Sequence, residues 1–222
     1  MQTTKAFTHT SEGVLSTNRV LRNTYALLSA TLLFSGVMAV VSMAVAPPPF
    51  VAMISTFGAI GILWLVLPKF ENSASGVGIV FLVTGMLGFG LGPMLNYHAG
   101  MPNGGSLIAT AMGGTGVIFL SLSAYVLTTR KSFDFLGGMV AVGMVVILGA
   151  ILVSLFTQST MLHIGISSGM ILLMSAMILF DTGRIVNGGE TNYIRATVSM
   201  FLNIFLLFTN LLQLLGIMGG DD

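Results

Sequence analysis

"LHIGISSGMILLMSAMILFDTGR", residues 162–184, runs from Leu162 to Phe180 without a charge and then meets Asp181 and Arg184 in quick succession. The run is continuous rather than alternating, so it does not read as a half-buried strand, and about 20 apolar residues are what a helix needs to cross a bilayer. Six further stretches have the same character: roughly 25–46, 50–67, 76–97, 106–128, 135–156 and 197–218. Composition agrees, because 55% of the 222 residues are hydrophobic and 7% are charged. At a mean hydropathy of +0.97, a water-soluble chain would have to expose large apolar patches. In lipid only helices and closed barrels satisfy every backbone polar group, and unbroken apolar runs select helices. The expected fold is an all-α integral membrane protein with seven transmembrane helices.

The polar residues lie between these stretches. "PPP" at 47–49, "ENSAS" at 71–75, "GMPNGG" at 100–105 and "NGG" at 187–189 carry turn chemistry. Lys5, Arg19 and Arg22 precede the first stretch; Lys69 follows the second, Arg130 and Lys131 the fourth, and Arg184 and Arg195 the sixth. Those eight are the whole Lys and Arg complement, and the alternate connections hold none. Since basic residues concentrate on the cytoplasmic side, the N-terminus is expected inside and the C-terminus outside, with Asp221 and Asp222 as the outer charges. Residues 1–18 read as a flexible polar tail, with an N-cap at Ser16 to Asn18 for a helix beginning near Arg19; residues 19–222 read as the membrane domain. A basic segment before an apolar run ending at Ala44 and Ala46 imitates a signal peptide, but 25–46 exceeds the roughly 7–15 residues of a signal's apolar region.

Several functions are disfavoured. A net charge of +1, with no basic stripe among aromatics, is not the footprint of a nucleic-acid binder. With Cys 0 there is no disulfide, thiolate metal site or cysteine nucleophile. "GISSG" at 165–169 fits G-x-S-x-G, and His163 stands four residues before Ser167, yet a nucleophile elbow needs a strand, a turn and a helix, and this lies inside a helical run. His9 and His98 read as solvated histidines of the tail and a loop. Three scattered His give no zinc site, and no metal, cofactor or catalytic residue is expected. The 16 Met read as adaptable packing, because a soft-metal site would cluster Met, His or Cys at one depth. Small residues four apart, Gly88 with Gly92, Ala109 with Gly113 and Gly165 with Gly169, together with the cluster Gly113, Gly114 and Gly116, mark expected helix contacts.

Asp181 is the exception to the apolar rule. An ionised Asp costs about 2.5–3.5 kcal/mol at the centre of a span and less toward its edge. Near a helix C-terminus the macrodipole also disfavours an anion. Two offsets suggest themselves: Arg184, three residues on, and Asn203 on the last helix, eight residues or about 12 Å beyond Arg195. A carboxylate beside an amide inside a bundle is a pH-sensitive polar site, pulled one way by desolvation and the other by Arg184.

"LFDT" at 179–182, the loop with Tyr193 and the last apolar run to Gly216 resemble the Bax inhibitor-1 (TMBIM, UPF0005) family. The likeness extends to "VLRNTY" at 20–25, Gly92, Pro93 and Asn96, "SAYVLTTRK" at 123–131, "FLGGM" at 135–139 and "GGETNYIRATVS" at 188–199. The resemblance implies a seven-helix bundle with the last helix central, the N-terminus cytoplasmic and the C-terminus periplasmic. In calcium-leak members it implies a pH-sensitive gate of two aspartates, matched here by Asp181 and, as a departure, by Asn203. A latch arginine of the second helix has only Lys69 nearby. For bacterial inner-membrane members it implies a non-enzymatic role: binding the membrane-anchored AAA protease FtsH and limiting its attack on other proteins. The tail residues Gln2, Thr3, Thr4, Lys5, Ala6 and Phe7 would be the protease's handle, and calcium or protons and the lipid bilayer are the other implied partners.

Overall fold

The computed structural model describes residues 3–157 and 159–219, and side chains from Thr17 onward. Among the described residues there is no strand. The elements are α1 (Thr3–Val45), α2 (Pro49–Leu65), α3 (Leu67–Phe70), α4 (Ala74–Gly90), α5 (Gly92–Ala99), α6 (Gly104–Thr129), α7 (Phe135–Ser154), α8 (Thr160–Val186) and α9 (Tyr193–Gly219).

Among the described residues six segments are long and apolar enough to cross a membrane: Thr17–Val45, Ala74–Ala99, Gly104–Thr129, Phe135–Ser154, Thr160–Val186 and Tyr193–Gly219. The remaining apolar helix, α2, has 17 residues. Its shortness has a local cause. Pro68 brings no N–H to the carbonyl four residues back, so the ladder breaks where α2 meets α3, although Val66 keeps helical angles and donates to the carbonyl of Ile62 at 2.9 Å. Pro93 likewise divides α4 from α5 at Leu91. At the other end, α1 begins at Thr3 and not near Arg19. Nothing between Thr3 and Val45 is a proline, and a helix once nucleated propagates cheaply.

The bundle is apolar on both its inner and outer surfaces. Leu28, Val83, Leu87, Met174, Ile178, Met200, Phe201 and Leu207 form one buried core, while Trp64 and Phe156 are 81% and 89% exposed. Such an outer surface suits hydrocarbon, not water. α9 packs against α8, α6, α1 and α4, whereas α7 packs chiefly against α8.

The glycine expectations divide. A Cβ at Gly88 would meet the carbonyl and hydroxyl oxygens of Ser35, and one at Gly92 the hydroxyl of Ser42, so both let α1 close on α4 and α5. Gly169 is pressed by Ile147 in the same way. Gly113, Gly116 and Gly165 face open space, and Gly114 has only Leu211 nearby, at 3.7 Å. The close face of α6 is instead marked by Ala111, which is fully buried.

Candidate functional site

The turn joining α8 to α9 builds the site. α8 ends through Asn187, and Gly188 takes φ +77, a conformation that costs an L side chain but not glycine. The Gly189 N–H donates to the carbonyl of Arg184 at 2.8 Å and the Gly188 N–H to that of Ile185 at 3.3 Å, the paired bonds of a Schellman ending. The chain therefore doubles back, and Glu190 returns beside Arg184. α9 then begins on Asn192, whose Oδ1 accepts from the backbone N–H groups of Ile194 and Arg195 at 2.9 and 3.2 Å, capping the new helix.

The antiparallel pair that results brings Asp181 to two neutral donors. Its Oδ2 accepts from Ser199 Oγ at 2.5 Å and from Asn203 Nδ2 at 2.7 Å. Asp181 and Asn203 are both buried. The carboxyl lines a cavity of about 100 Å³, walled by Arg184, Glu190, Arg195, Ala196 and Ser199.

Asn203 stands where the sequence placed it. Arg184 does not pair with Asp181: its guanidinium reaches Glu190 at 3.6 Å, donates to the carbonyl of Gly189 at 3.4 Å and lies 5.6 Å from the centre of the Phe180 ring. The cause is the tight turn, which offers a second carboxylate nearer the helix end. Ser199 was not singled out from the sequence, although it lies one helical turn before Asn203 on the same face, a spacing that could have found it. Around the cavity a second layer closes. Arg195 is paired with Glu71, and Asn192 Nδ2 donates to the carbonyl of Glu71 and to Oδ1 of Asn72, each at 2.9 Å. This ties the α3–α4 turn to the start of α9. Lys69 is exposed.

The other sequence candidates are scattered. Gln2 lies outside the described residues, and Thr3, Thr4, Lys5, Ala6 and Phe7 contribute backbone to α1 with their side chains outside the description; the side chain of His9, Asp221 and Asp222 are outside it too. Ser167 is buried within α8 and its Oγ has no hydrogen-bond partner, so no dyad with His163 forms. His98 is not a solvated loop histidine: α5 carries it inward, and it is 6% exposed.

Chemically, one oxygen of Asp181 is engaged by neutral donors and the carboxyl faces a small cavity, an arrangement that can hold a proton or lend an oxygen to a cation. Among the described residues no three of His, Asp and Glu come together, so the six to eight oxygens of a calcium cage are not assembled from carboxylates.

Comparison with known proteins agrees along the whole length. A family model described as inhibitor of apoptosis-promoting Bax1 matches residues 17–220. An uncharacterized membrane protein of Vibrio cholerae is 51% identical over 221 residues, 99% of each chain. A protein of Escherichia coli K12 named modulator of FtsH protease YccA is 45% identical over 215 residues, 96% of each chain. Its counterpart in a second Escherichia coli strain, equally similar, is named inner membrane protein YccA.

Proposed function

The chain belongs to the Bax inhibitor-1 family, and from that premise we propose that it is a non-enzymatic modulator of the membrane protease FtsH. It is a multi-pass protein of the bacterial inner membrane. The observation that carries the reading is the 45% identity, across 96% of both chains, with the relative named for modulating that protease. The first residues, Gln2 to Phe7, are the handle: they precede every apolar stretch, so a protease can engage them without first extracting a span.

This role fixes a topology. α2 and α3 together, residues 49–70, form the seventh span; at 1.5 Å per residue they reach about 33 Å despite the kink at Pro68. With seven crossings, Arg22, Lys69, Arg130 and Arg195 all fall on one side, and the positive-inside bias makes that side cytoplasmic. The handle then faces the cytoplasm. Deleting residues 2–15 should abolish co-purification of FtsH from membranes while helix content, read by circular dichroism, stays within a tenth or so of the parent's after allowance for the shorter chain. Undiminished capture of FtsH by the shortened chain would end this mechanism.

A second reading is favoured by the buried Asp181 and its cavity: a pH-sensitive leak for calcium or protons, with Asp181 and Asn203 as the gate and Arg184 beside its mouth. Reconstituted in liposomes with an entrapped calcium dye, the protein should pass calcium at a rate that varies with pH, and Asp181→Asn should flatten that variation. Dye that stays dark at every pH removes the leak.

A further inference from the structure

The end of the bundle opposite Asp181 holds a larger cavity, about 530 Å³, lined by Met94 and His98 of α5, Met101 of the turn after it, His163 of α8 and Gln213 of α9. Among the described residues its wall contains no acid, lysine or arginine. The Nδ1 of His98 lies 2.8 Å from the carbonyl of Met94, and a carbonyl can only accept, so Nδ1 carries a proton and, in the neutral ring, Nε2 is the nitrogen that keeps its lone pair. No protein group among the described residues donates to that nitrogen. The ring fits against α9 because residue 216 is glycine: a Cβ there would lie 2.6 Å from Nε2. His163 reaches the same depth by register, since the antiparallel pairing that sets Asp181 against Ser199 and Asn203 sets His163 against the last turns of α9, where His98 rests on Gly216.

A ring N–H held by a backbone carbonyl with the far nitrogen free is how metal-binding histidines are oriented. The donors are two imidazoles and two thioethers, all neutral. Hard cations want oxygens and zinc sites draw on thiolates or carboxylates as well as imidazoles, and among the described residues no trio of His, Asp and Glu exists to supply them. Thioether and imidazole together select a soft ion, and a single positive charge needs no carboxylate to balance it. We propose that this cavity binds a cuprous ion through Nε2 of His98, a ring nitrogen of His163 and the sulfurs of Met94 and Met101. The methionines read as packing from the sequence thus divide: Met174 and Met200 fill the core, while Met94 and Met101 line the same cavity as two histidines. The long, freely rotating methionine side chains have room in the cavity to close on the ion.

The test is titration of the full-length protein in detergent with Cu(I) against a colorimetric cuprous chelator. One equivalent should be withheld from the chelator, and Ag(I) should displace it. His98→Gln should weaken retention at least about tenfold. His98 is buried, so His163→Gln and Met101→Leu, at partly buried positions, carry the same test at less hazard to folding: each should lose about tenfold with an unchanged thermal transition. Full surrender of copper by the parent protein, retention equal to the parent's in His163→Gln and Met101→Leu, or tighter binding of Zn(II) than of Cu(I) would each overturn the site.

Discussion

Ser199 and Asn203 both donate to the same oxygen of Asp181, and their contributions should therefore not add. Removing either donor leaves the buried acceptor one partner short, at a cost of about 1–3 kcal/mol. Removing both should cost less or more than the sum of the singles by at least about 0.5 kcal/mol, the coupling expected of residues in one network. Thermal or denaturant unfolding of Ser199→Ala, Asn203→Ala and the double variant in detergent measures it; strict additivity would show that the two donors act separately. How much of this site the sequence disclosed follows from what kind of information each residue needs. Asn203 could be found because an amide in an oily helix, two turns past a known polar end, has few other uses. The ion-pair partner of Arg184 is Glu190, and it depends on the tight turn at Gly188, because a spacing of three along one helix does not contain the path of the chain after the helix stops. Ser199 went unnoticed since serine is ordinary in membrane helices and is distinguished only by what faces it.

Between elements, the contrast of interest is between glycines that are pressed and glycines that are not. Gly88 lies under the Ser35 backbone, while Gly113 has nothing within 4 Å. Gly88→Ala should destabilise by about 1–3 kcal/mol through overpacking, whereas Gly113→Ala should be neutral or stabilise by up to about 1 kcal/mol through helix propensity. A shared unfolding assay compares the two, and equal losses would mean that the α1–α4 crossing is not set by Gly88. Both residues belong to small-residue pairs four apart, and the pattern alone does not separate them. Whether such a stripe faces a helix or lipid is decided by rotation of the helix about its axis, which on α6 turns Ala111 inward and Gly113 out. Element existence was plain from the apolar runs, since nothing else in a bilayer competes with a helix. Element ends were less so: α1 continues far upstream of its expected cap, and Pro93 divides a run whose hydropathy is unbroken.

For the whole molecule, the absence of cysteine offers a clean test of the proposed sidedness. Single cysteines introduced at Asn103 and at Arg130 should react oppositely with an impermeant maleimide applied to intact cells: the first labelled, the second only after the membrane is opened. Labelling of both from outside would contradict seven crossings. The charge segregation that predicts this result was readable from the sequence because it depends on counting loops. Which helices touch was not readable, since nearly every face is apolar and lipid competes with protein for each. Beside the apolar packing of Leu67 and Val80 with Ile194 and Val198, polar contacts bind the α3–α4 turn to the head of α9: Asn192 gripping Glu71 and Asn72, and Arg195 closing on Glu71. Since Asn192 is at once the first anchor of α9 and the clasp on that turn, the final helix cannot slide along its own axis without dragging the turn behind it.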